Sequence, residues 1–421
     1  MYKPLPLESL ALNQPVPVNI WDPKGVLLLR KGEPITSEQH RGHLMLHTPM
    51  VLAADWQAWG YSYTAALDRM VRGNESLSRI AALDAMVPVH SKPEASDELA
   101  ATEAWADTHA ALNTLLHQGA DASHFIERLE RLTALTDKLW REHPDDSLLI
   151  LVQLLFDPGM HYSATHALLT AGLCTLVGPS AGTAAGDQLA LVRAALTMNI
   201  GMTALQDELA EQRERPTPVQ QEAIKSHPEE SMMLLERLFI NDALWLDVVG
   251  QHHATVADRV PLANQDPVDR LTRVLGTIDR YAAMISPRKS RAGRSATDSV
   301  RAIVGQEIDQ RDEVSYTLVR SIGLCPPGTF VKLDNGETAI VLRRSEKANH
   351  PLVASLLDRT GTHHAQPSLY QTATGKPRIQ SALARSAVSL ELNHRTMVRL
   401  GLYAAQHSAG LRGLISGPGS L

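Results

Sequence analysis

Cysteine is nearly absent: Cys174 and Cys325 are the only two in 421 residues, and they lie far apart. That excludes a disulfide framework and a thiolate zinc site, and it suits a reducing compartment. A basic surplus is also missing. The formal charge of −6 argues against a nucleic-acid coat or a membrane-surface binder, either of which needs a basic face. It leaves room for a small basic pocket around a phosphorylated ligand. No basic region followed by an apolar stretch opens MYKPLPLESL, so no signal peptide is expected. No apolar run reaches spanning length, because the segment after His166 is broken by Gly172, Gly178 and Pro179. A cytoplasmic protein is the expectation. No internal repeat is found.

What remains is an ordinary globular composition, 44% hydrophobic and 20% charged, in a chain long enough for two or three domains. VPVNIW and VLLLRKG flank a DPKG turn and predict a β-hairpin. This begins a small β-rich module over residues 1–75. A polar stretch with two prolines marks a linker, 76–119. From Asp121 the pattern turns helical, with Phe125, Leu129, Leu132, Leu135 and Leu139 at three- and four-residue steps. Thr217-Pro218-Val219-Gln220 is a helix start carrying a capping box. Further helices are expected at 242–253 and 269–285, and the helical domain spans 120–320. Beyond it, 321–421, two strand-like runs meet at Asn335-Gly336, 351–357 offers a third strand, and 360–382 reads as a surface loop. The fold class expected is mainly α, with small β-rich segments before and after a helical bundle.

Of the eighteen histidines, four stand out, together with one aspartate: His166, His227, His252, His253 and Asp279. They are dispersed over helices, yet one layered site would collect them. Each taken singly is more often a core or helix-end residue. The adjacent pair His252-His253 is the least accidental. Imidazole and carboxylate suit zinc, iron or manganese.

YSATH (162–166), AALTMNIGM (194–202), KSHPEES (225–231), VVGQHH (248–253), GTIDRYAAMISPRKSR (276–291) and IGLCPPGTFVKLDNGETAIVLRR (322–344) occur in this order. In ordering and spacing they resemble the HD-GYP branch of the HD-domain phosphohydrolases. The resemblance implies an HD-domain helical bundle holding two or three metals for cyclic di-GMP hydrolysis. It matches His166, His227, His252, His253 and Asp279 to metal ligands, and Arg288 and Arg291 to a basic pair facing ligand phosphates. LLLRKG in the N-terminal module resembles a β-rich segment preceding such domains in some bacterial signalling proteins.

The centre departs from the family. Its His-Asp dyad falls on Met198 and Asn199, its lysine on Met202, and a glutamate ligand of some members on Tyr162. ATVADRVP (254–261) stands where the Gly-Tyr-Pro loop would be. A thioether is a poor ligand for hard divalent ions, and an amide lacks the charge that holds two cations together. Loss of one electrostatic stabiliser costs roughly 3–4 kcal/mol of transition-state binding. The expectation is a catalytically impaired signalling protein that binds a cyclic dinucleotide, another phosphorylated small molecule or a partner signalling protein. An active metal-dependent phosphodiesterase is the alternative. His227, His252 and His253 would hold a single ion with an open position, or none.

Overall fold

In the computed structural model the described residues are 2–5, 12–23, 25–52, 93–157, 160–254, 260–304, 312–345, 347, 349–373 and 377–390. The chain divides into two compact units, Met1–Glu94 and Ala95–Leu421. In the first, β1 (Tyr2–Pro4), β2 (Ile20–Trp21), β3 (Leu27–Leu29), α1 (Glu38–Met45) and β4 (Met50–Leu52) form an antiparallel sheet of order β1-β4-β2-β3 with one short helix. The expected hairpin is β2–β3. Val16, Val18, Ile20, Leu29, Ile35, Leu44 and Val51 make its core. The expected end of this module near residue 75 lies outside the described residues.

Helix α2 (Pro93–Gln118), which belongs to the second unit from Ala95 on, lies inside the stretch expected to be a linker. Its polar first half gave the linker reading. Trp105, Leu112, Leu115 and Leu116 are nevertheless buried in the bundle, and Trp105 meets Trp140 edge to face at 5.8 Å between ring centres. Next come α3 (Phe125–Glu142) and α4 (Pro144–Leu155). On α3 the expected apolar face is buried except for Leu135, and Thr133 and Thr136 lie on the buried side instead. The bundle continues with α5 (Tyr162–Val177), α6 (Ala185–Thr197), α7 (Thr203–Glu211), α8 (Pro218–Arg237), α9 (Ala243–Gln251), α10 (Pro267–Ile285), α11 (Ala296–Val304) and α12 (Glu313–Ile322).

Helix α5 has no charged first or last turn and is buried almost throughout, which makes it the central element. The run 185–211 is long and apolar enough to cross a membrane by length and composition alone. Here it is a core element: Leu191, Ala194, Ala195, Leu196 and Met198 pack in the bundle, and a 3-10 turn at Ile200–Met202 separates α6 from α7.

Five antiparallel strands follow: β5 (Phe330–Leu333), β6 (Thr338–Arg343), β7 (Leu352–Leu357), β8 (His363–Gln371) and β9 (Ile379–Leu383), ordered β8-β7-β6-β5-β9. The Asn335-Gly336 hairpin and the third strand form as expected. The stretch 360–382 does not form the expected loop; it supplies β8 and β9. Polar residues recur there because β8 and β9 are the two edge strands, where half-solvated side chains are tolerated. Phe330, Ile340, Leu342 and Ala354 pack with Leu149 of α4, and Val331, Leu333, Ala339 and Val341 pack on the opposite face with Cys325. Arg344 Nε on Asp145 at 2.5 Å, and the Gln153 amide on the Gly328 carbonyl, fasten the sheet to α4.

Candidate metal centre

His227 sits on α8 immediately before Pro228. Proline has no N–H to donate, so the carbonyl four residues earlier, Ile224, loses its helical partner. The His227 Nδ1–H takes that acceptor at 2.5 Å. At the end of α9 the Val249 carbonyl is one of the last-turn groups with no partner inside the helix. The His252 Nδ1–H donates to it at 2.7 Å. A carbonyl only accepts, so both rings carry their proton on Nδ1 and present a bare Nε2.

These two Nε2 atoms face each other at 3.1 Å. Burial holds both rings below the ordinary imidazole range, His252 down to about 3, so both are neutral at pH 7. Two lone pairs in contact with no proton between them repel, and a cation relieves the repulsion. His253 completes the group: its ring centre is 4.2 Å from that of His252 and 5.1 Å from that of His227. The three ligand nitrogens lie within 4.8 Å of one another. Zinc–nitrogen bonds of about 2.0–2.1 Å put tetrahedral ligands about 3.3 Å apart, so the donor set fits a divalent ion with an open position.

Helix α10 brings the carboxylate. Asp266 caps its start, accepting from Asp269 N–H at 3.0 Å. At Gly276 it presses on the end of α9 so closely that a Cβ would lie 2.6 Å from the His252 carbonyl oxygen. One turn further, Asp279 meets His166 of α5, Nε2 to Oδ1 2.8 Å, both buried. Burial alone would neutralise each. Their hydrogen bond and mutual attraction win, holding the Asp279 carboxyl well below its usual range. At His166 the influence of Tyr162, followed by the hydrogen bond and charge of Asp279, outweighs burial and raises the ring. The charge of Asp279 is also felt at His227 and His252.

The network extends through Tyr162, one turn before His166 on the same face. Its hydroxyl lies 3.4 Å from His166 Nδ1 and accepts from an Arg288 guanidinium N–H at 3.1 Å, while the guanidinium sits 5.0 Å over the ring. Burial would raise the phenol, but the positive charges of His166 and Arg288 bring it below its ordinary value. Backbone bonds of 2.8 and 2.9 Å between Arg288 and Arg291 close a tight turn, which Lys289 N–H pins to the Ala210 carbonyl at the end of α7. Arg288 is largely buried with its Nε–H unpartnered among the described residues, whereas Arg291 is exposed and donates to the Ala283 carbonyl at 2.7 Å. Sequence reasoning missed the Tyr162–Arg288 contact; the four-residue spacing of Tyr162 and His166 was its only trace.

Met198 ends α6 at 1% exposure, with its thioether in the apolar core. Asn199 and Met202 are half-buried in the turn that follows. That turn docks on α8 one turn past His227. Gly201 N–H donates to Ser231 Oγ at 3.0 Å, and a Cβ there would lie 2.9 Å from Ser231 N. Of the loop 254–261, residues 255–259 lie outside the described residues.

No family model matches the chain. Cyclic di-GMP phosphodiesterase PA4108 of Pseudomonas aeruginosa is 25% identical over 236 residues, 54% of this chain and 54% of that protein. The chain thus spans about half the length of the curated relative it matches. A solved structure, Bd1817, a HDG"Y"P protein from Bdellovibrio bacteriovorus, overlaps 75% of this chain and 97% of that one, at a TM-score of 0.41 and 12% identity. Over about half its length the chain is thus similar in sequence to a cyclic di-GMP phosphodiesterase, and it carries methionine and asparagine at positions 198 and 199.

Proposed function

We propose that the chain is an HD-GYP-like signalling module, impaired in hydrolysis, that binds a cyclic dinucleotide or a related phosphorylated ligand, or reads its state out to a partner protein. The observation that carries this reading is Met198. Where a two-metal phosphodiesterase needs a bridging carboxylate beside a ligand imidazole, this chain has a buried thioether and the uncharged Asn199.

His227, His252 and His253 fit a single ion, which when bound supplies a Lewis acid with one open position. The remaining chemistry belongs to the chain. Neutral His227 and His252 keep their Nε2 atoms aimed at one point. His166 holds Asp279 ionised, which keeps negative charge beside those histidines. Arg288 stays cationic beside the Tyr162 hydroxyl, and its charge favours a phosphate on this side of the site. Arg291 adds charge from the same turn.

The second reading, an active phosphodiesterase on cyclic di-GMP or a related phosphoester, is favoured by the three-histidine cluster with its open position. Metal content and cyclic di-GMP binding of the full chain, with and without added manganese, iron or zinc, separate the two. The proposal expects binding without linear product, weakened at least about tenfold by Arg288→Ala, a loss of roughly 1.4 kcal/mol. Two equivalents of iron or manganese together with turnover would overturn it in favour of the enzyme. Absence of binding under every condition would overturn the ligand reading.

A further inference from the structure

A second group of metal-type ligands lies at the start of α5 and shares no residue with the centre described above. His117, in the last turn of α2, donates Nδ1–H to the Asn113 carbonyl at 2.9 Å, which leaves Nε2 as its free nitrogen. That Nε2 is 3.1 Å from Asp207 Oδ2 on α7. His161, the residue preceding α5, brings Nδ1 to 3.3 Å from the same oxygen. The other carboxylate oxygen, Oδ1, accepts Ser163 N–H at 2.7 Å, so Oδ2 is turned toward the two rings. The rings are 5.4 Å apart at 63°, and the three ligand atoms lie within 4.8 Å of one another. His109, buried beneath, reaches the His161 carbonyl at 3.2 Å and steadies the backbone that carries the ligand.

We propose that His117, His161 and Asp207 form a second divalent-cation site, suited to zinc. A neutral His117 cannot donate to Asp207, because its one N–H is already given to Asn113; its lone pair then faces a carboxylate lone pair. A cation between them converts that repulsion into two bonds. Separations of 3.1 and 3.3 Å match the roughly 3.3 Å edge of a tetrahedral zinc site with bonds of about 2.0–2.1 Å. Two imidazoles and one carboxylate are a zinc-type donor set that leaves the fourth position to water. Side-chain exposures of 33% for His117 and 57% for His161 open that position to solvent, whereas Asp207 at 16% is the inner ligand. Because the ligands come from α2, α7 and the residue that precedes α5, an ion here ties three helices together near His166.

The test uses the full chain carrying His227→Ala and His252→Ala, stripped with a chelator and titrated with cobalt(II). One equivalent should bind and give the intense visible absorption of tetrahedral cobalt, and zinc should displace it. Asp207→Asn, His117→Gln and His161→Ala, each added to that background, should weaken binding by more than the roughly 10–100-fold typical of losing an outer-shell partner. If the background variant fails to fold, the same titration of the unaltered chain should show two equivalents, falling to one with His161→Ala, whose exposed ring is the safest to truncate. Unchanged cobalt stoichiometry and affinity in Asp207→Asn would overturn the site. So would a loss of Tm in metal-free His117→Gln with no Tm rise on adding zinc to the parent, the signature of an ion pair alone.

Discussion

Pro228 and His227 act as one device. A proline inside a helix costs about 3 kcal/mol relative to alanine, and here the cost frees the carbonyl that selects the His227 tautomer. Pro228→Ala restores an N–H that competes for the Ile224 carbonyl. We expect it to raise stability in urea denaturation and yet to lower the metal content of the central site. Higher stability with unchanged metal would remove the tautomer role. Gly276→Ala pushes a methyl to 2.6 Å from the His252 carbonyl. It should cost about 1–3 kcal/mol of stability and lower metal content together, since the strain falls on the residue that carries a ligand. The candidate ligand residues were named from the sequence. Which nitrogen each presents was not, because that depends on carbonyls set free by neighbouring helical geometry.

At the scale of elements, local signals served well wherever the chain closes its own hydrogen bonds. Thr217 accepts Gln220 N–H at 3.3 Å, and the Gln220 side chain accepts Thr217 N–H at 2.9 Å, as the capping-box spacing predicts. The hairpin at Asn335-Gly336 belongs to the same class. Strands β8 and β9 and helix α2 were misread because their partners are remote. Strand β9 pairs with β5 across some fifty residues, and Trp105 of α2 meets Trp140 of α3 and donates to Ser147 of α4.

One helix start is also a cross-link. Asp312 accepts Ser315 N–H at 2.9 Å as the cap of α12 and binds Arg273 of α10 at 2.8 Å. Burial opposes its charge, but Ser315 and then Arg273 outweigh burial and hold the carboxyl below its usual value. The stability it contributes is therefore complete above the unfolded carboxylate value of about 3.9 and is lost as pH falls through the lower folded value. Asp312→Ala should cost about 2–4 kcal/mol at pH 7. The gap from the parent in thermal unfolding should close below about pH 4. A gap that stays constant with pH would assign the effect to packing.

Every residue of both candidate sites belongs to the unit that begins at Ala95. A chain of residues 93–421 should therefore keep the metal content and the main thermal transition of the full protein, since it holds every residue of both sites and of the bundle's core cluster. Loss of either on truncation would show that the N-terminal unit helps build the site. In the second unit the long-range packing runs through α5, which pairs His166 with Asp279, 113 residues away, and lies beside the α7 carboxylate that reaches His117 and His161.

By itself the sequence determined the helical class, the caps, the hairpins and the order of the motifs, with Met198 and Asn199 standing where the resemblance would put the dyad. These follow from period, turn chemistry and residue identity, all local properties of the chain. Only the tertiary structure decided that His227 and His252 confront each other through bare nitrogens, that Arg288 rests on Tyr162, and that His117, His161 and Asp207 converge. Those arrangements rest on distances between helices far apart in sequence, which packing sets and no local pattern encodes.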